Sequence, residues 1–79
     1  GEDGPRTFIC QAYAYGTDFW GTQTASKLLE KGEEWTHDVY FILAVTGHQR
    51  FDFDLYIQDG SEPPVFYANL HIWIYMVNA

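Results

Sequence analysis

The sequence predicts an α+β fold in the order β-α-β-β-β, with one helix packed on one face of a four-stranded antiparallel sheet (cystatin-like in outline). Three observations lead there. Two-residue alternation of apolar and polar side chains recurs along residues 6–15, 37–46, 50–58 and 65–77, the period of a strand with two unlike faces. Only 17–31 places apolar residues (Ala25, Leu28, Leu29) at helical spacing. The chain of 79 residues can close one core and no second one.

Residues 1–5 (GEDGP) are polar and glycine-rich and read as a flexible terminus or expression remnant, leaving 6–79 as a single domain. From Arg6 to Tyr15, Phe8, Cys10, Ala12 and Ala14 share one phase, and Thr7, Ile9, Gln11, Tyr13 and Tyr15 the other. In 17–31, Asp18 or Thr22 is the expected cap, Lys27 and Lys31 lie where a helix C-terminus favours cations, and Gly32 is the expected stop. The helix is best defined over 22–31. The run 37–46 alternates Val39, Phe41, Leu43 and Val45 with Asp38, Tyr40, Ile42, Ala44 and Thr46. Gly47-His48-Gln49 then turns it into a hairpin with 50–58, where Phe51, Phe53, Leu55 and Ile57 oppose Asp52, Asp54 and Tyr56. Asp59-Gly60 and Pro63-Pro64 break the ladder before the last strand. In 65–77, Phe66, Ala68, Leu70, Ile72, Ile74 and Met76 fall in one phase, and Tyr67, Asn69, His71, Trp73 and Tyr75 in the other.

Taken together, the phases separate phenylalanine from tyrosine. The helix is expected to cover the phenylalanine face, since a single helix cannot cover both. The other face collects Tyr13, Tyr15, Tyr40, Tyr56, Tyr67, Tyr75, Trp73 and His71 with Asp38, Asp52 and Asp54. Phenols and indoles bring contact area at low entropic cost while keeping a polar handle in water, which suits a binding surface. Asp52 and Asp54, roughly 6.6–7 Å apart on one side of a strand, could imitate successive phosphates; a merely solvated acidic face is the plainer reading.

Composition narrows the function. Apolar residues at 47% and aromatics at 19% exclude a disordered tail. Eleven acidic against four basic side chains, a net charge of −7, argue against nucleic-acid binding. A lone Cys10 excludes an intramolecular disulfide framework and a multi-cysteine zinc site. His37, His48 and His71 are scattered, and no nucleophile motif or diagnostic metal spacing occurs, so no enzyme activity, cofactor or metal is expected. No apolar run reaches the ~18–20 residues of a membrane-spanning helix, so no membrane partner is expected. The compartment is left open, with the cytoplasm favoured.

Leu43-Ala44-Val45-Thr46-Gly47 resembles the QxVxG binding loop of the cystatin superfamily, with Leu43 where that family has Gln and no Pro-Trp pair after Val65. The resemblance implies a helix wrapped by an antiparallel sheet, with Val45 and Gly47 as wedge residues against a papain-like cysteine protease. The expected function from the residues themselves is a small acidic non-catalytic inhibitor or adaptor. It would engage a protein with a basic surface, such as a nucleic-acid enzyme, through Tyr13, Tyr40, Asp52, Asp54, Tyr56, Tyr67, His71, Trp73 and Tyr75. Cystatin-like inhibition and homodimerisation through the open sheet face are the alternatives.

Overall fold

The computed structural model describes residues 4–15, 21–41 and 46–77. Among them the chain forms one four-stranded antiparallel sheet and no helix: β1 (Arg6–Tyr15), β2 (Gly21–Leu29), β3 (Gly47–Gln58) and β4 (Val65–Met76), in the spatial order β2-β1-β3-β4. The α+β assignment, and with it the cystatin-like outline, is therefore corrected to an all-β sheet.

The predicted helix is β2. Read at period two, Gln23, Ala25, Lys27 and Leu29 alternate with Thr24, Ser26 and Leu28, and threonine and serine are weak helix formers. Pairing decides the outcome: β2 closes one side of β1 in continuous register from Arg6 opposite Leu29 to Ala14 opposite Gly21. That ladder satisfies backbone groups which β1 would otherwise leave open.

The predicted 37–46 hairpin strand is corrected as well. Residues 37–41 have no regular secondary structure, and 42–45, which hold most of the cystatin-like loop, lie outside the described residues. β3 pairs instead with β1, from Thr7 opposite Gln58 to Tyr15 opposite Arg50, and with β4. Both sides of β3 are thus occupied before 37–41 could claim one.

Residues directly opposite on antiparallel strands point to the same face. One face stacks the rows Gly21–Ala14–Phe51–Ile72, Gln23–Ala12–Phe53–Leu70 and Ala25–Cys10–Leu55–Ala68. It is the phenylalanine face of the sequence, and the segment carrying Tyr40 and Phe41 takes the covering role expected of the helix. The side-chain amide of Gln23 donates to the carbonyl of Tyr40 and accepts from its N–H at 3.3 Å, while the ring of Phe41 meets Phe51 edge-on at 5.2 Å. Beneath this segment Ala12, Ala14 and Phe51 are buried, the only buried apolar side chains among the described residues. The small methyls of Ala12 and Ala14 leave room for a strap of chain to lie close. The cover ends there, and Leu70, Ile72 and Ile74 on the same face remain exposed.

β3 and β4 are joined by a tight turn in which the Glu62 N–H donates to the Asp59 carbonyl at 3.1 Å, with Gly60 at φ 59°. A β-bulge follows. Leu55 faces Ala68 but Tyr56 faces Phe66, leaving Tyr67 without a cross-strand partner. This extra residue reverses the phase below it, so Phe66 joins the tyrosine face rather than the phenylalanine face.

Candidate functional site: an aromatic sheet face and an uncharged edge

The second face carries the rows Gln11–Asp54–Asn69, Tyr13–Asp52–His71 and Tyr15–Arg50–Trp73, with His48 opposite Tyr75 and Tyr56 opposite Phe66. Of the residues singled out from the sequence, the sheet therefore brings together Tyr13, Asp52, Asp54, Tyr56, His71, Trp73 and Tyr75. Tyr67 lies beside them at the bulge. Tyr40 does not join them: it sits in the strap against Gln23 and is 72% exposed. Asp38 is likewise in that segment, off the sheet.

Ring contacts organise this face. Tyr13 and Tyr15 stack at 5.9 Å, His48 meets Tyr75 edge-on at 5.0 Å, and Tyr56 meets Phe66 edge-on at 5.8 Å. Tyr15, Phe66, Tyr67, Trp73 and Tyr75 are all more than half exposed. These pairs fix ring orientations without covering the rings, so the face is ordered and still open.

Its electrostatics differ from the expected bare acidic stripe. Arg50 lies two residues before Asp52 on the same side of β3 and grips it with two hydrogen bonds, Nε to Oδ1 at 2.7 Å and Nη2 to Oδ2 at 2.9 Å. The Asn69 amide donates to Asp52 Oδ2 at 3.2 Å and to Asp54 Oδ1 at 2.7 Å, and Nδ1 of His71 lies 3.2 Å from Asn69 Oδ1. Asp52 is only 6% exposed. The hydrogen bond from Arg50 holds its carboxyl below the ordinary aspartate range against the opposing effect of burial, with Asn69 and the charges of Arg50 and His71 adding to it. Asp52 is thus a neutralised, structural anion, and Asp54 is the more open of the pair. Arg50 and Asn69 were legible as members of this face from their parity alone; what the sequence does not show is that they would clamp the aspartates.

Elsewhere the chemistry is quiet. Burial, and secondarily the charge of Asp54, push the Cys10 thiol up, which keeps it protonated and weakly nucleophilic. No three His, Cys, Asp or Glu side chains among the described residues converge as a metal site. A pocket of about 360 Å³ opens beside the ends of β1 and β2, lined by Arg6, Phe8, Leu29, Glu30, Lys31 and Glu33 among others.

The larger feature missed in the sequence is the place of β4 at the sheet edge. It is an edge strand of twelve residues without Asp, Glu, Lys, Arg or Pro, and eight of them are large apolar or aromatic side chains exposed to solvent on both faces. The opposite edge, β2, is shorter, mostly polar and carries Lys27, the usual protection of an open edge. The absence of charge in 65–77 was a visible signal; that this segment would end at an edge was not.

Comparison with protein-family models, curated proteins and solved structures finds no match.

Proposed function

We propose that the chain is a small acidic non-catalytic binding protein that holds a protein partner against the tyrosine face. One observation carries this reading: exposed Tyr15, Trp73 and Tyr75, with Tyr13 and the Arg50–Asp52–Asn69–Asp54 network between them, form a preordered aromatic and polar surface that none of the other described residues covers. Rigid rings flanking satisfied polar groups are what a contact surface needs, since little entropy is lost when a partner arrives. The partner's basic character rests on the net charge of −7, which draws cationic surfaces over distance. It does not rest on a pair of bare aspartates, because Asp52 is already matched by Arg50. The cystatin-type alternative loses its fold-level support with the helix, and residues 43–45 of its loop lie outside the described residues.

A displayed library of short peptides, selected against the wild-type chain, tests the reading. Selected peptides are expected to be rich in Lys and Arg beside apolar residues, and Trp73→Glu is expected to weaken them about 30-fold, the size of a ~2 kcal/mol hot spot. Trp73 is 61% exposed, so the variant keeps its fold. Failure to select any binder, or binders indifferent to Trp73→Glu, would sink the proposal.

A further inference from the structure

We infer that the β4 edge is the seat of a second copy of this chain, joined antiparallel about a two-fold axis so that two four-stranded sheets become one of eight strands. The edge is the backbone margin of β4, whose Trp73 and Tyr75 side chains also belong to the tyrosine face; the inference does not rest on the proposed function.

The first argument is area. A compact monomer of 9.2 kDa exposes about 4,900 Å², whereas this chain exposes 6024 Å². The excess of about 1,100 Å² is more than the ~800 Å² that one partner contributes to an interface of ordinary size. Extension agrees: the radius of gyration is 15.2 Å, against about 12 Å for a compact chain of this length.

The second argument is hydrogen bonding. Alternate residues of β4 turn their N–H and C=O groups away from β3, and a second β4 matches that row group for group. The third is charge. Two copies carrying −7 each repel, yet β4 has no charged side chain, so contact along this edge adds no local charge to that repulsion. A closed two-fold contact must be self-complementary, and an uncharged strand facing itself is.

The bulge at Tyr67 sets the register. The regular span beyond it, Ala68–Met76, has its midpoint at Ile72, and pairing that whole span with itself puts Ile72 opposite Ile72, with Leu70 opposite Ile74. Both faces then continue across the junction. Exposed Leu70, Ile72 and Ile74 meet their counterparts on the phenylalanine face, and His71 comes opposite Trp73 on the other.

Sedimentation equilibrium of the full chain and amide hydrogen exchange of the same sample test this. The expected result is a dimer in which every amide from Ala68 to Met76 is protected. Ile72→Lys, which brings two ammonium groups together at the axis from a side chain already half exposed, is expected to weaken the dimer at least tenfold. Leu28→Lys on the β2 edge is expected to leave it unchanged. A monomer at high concentration, a dimer whose outward β4 amides still exchange (face-to-face packing), or a dimer indifferent to Ile72→Lys would each overturn the inference. None of these outcomes depends on the peptide selection against the tyrosine face.

Discussion

Asp52 shows how a side chain's role can differ from its sequence reading. Alternation alone places it on the tyrosine face beside Asp54, and the register confirms that placement. Its charge, however, is spent within the protein, on Arg50 and Asn69. A carboxyl whose folded pKa lies below its unfolded one stabilises the fold fully above the unfolded value, and that stabilisation disappears as pH falls through the folded value. The thermal midpoint of the wild type is therefore expected to drop as pH is taken below about 4. In Asp52→Asn, which keeps the shape but not the charge, the drop should be shallower and the midpoint at neutral pH lower. Thermal melts across that pH range, with equal slopes for the two proteins, would show that the clamp contributes nothing. Parity made Arg50, Asp52 and Asp54 legible as neighbours; the ion pair needed a rotamer and a distance, which no pattern contains.

At the scale of elements, β1, β3 and β4 were legible because each alternates over nine residues or more. β2 was not, since Ala25, Leu28 and Leu29 satisfy a helical spacing as well as a strand one, and a ladder with β1 outweighs a helix of weak formers. The strap of residues 30–41 is the converse case. Val39 and Phe41 have the alternation of a strand, but both sides of β3 are taken by β1 and β4, and Phe41 serves as cover against Phe51. If Phe41 is what seats the strap over Ala12, Ala14 and Phe51, Phe41→Ala should cost about 1–2 kcal/mol, less than a fully buried phenylalanine, because the ring is only half buried and loses one edge-on partner. A urea midpoint unchanged by that substitution would mean the strap is not part of the cooperative unit. The bulge at Tyr67 belongs to this scale too. One extra residue moved Phe66 from one face to the other, and alternation cannot register an insertion that breaks neither strand.

For the whole molecule, three buried apolar side chains among the described residues are a small core, so association is the natural source of further stability. The net charge of −7 makes the two proposed contacts respond oppositely to salt. Raising ionic strength screens the repulsion between identical chains and should tighten the β4 dimer. It should loosen a basic partner held on the tyrosine face. Titrations of both at two salt concentrations would read the two signs, and a β4 dimer that weakens with salt would mean that charge, not apolar area, holds it. From the sequence alone came the strand periods, the separation of phenylalanine from tyrosine, the acidity and the breaks at Gly60 and Pro63-Pro64, all of them local or additive properties. Only the tertiary structure decided that β2 is a strand, that a strap replaces a helix, that Asp52 is clamped and that β4 ends the sheet. Those are choices of partner between segments distant in the chain, and a side chain's neighbours across a ladder are set by competition among all the segments at once.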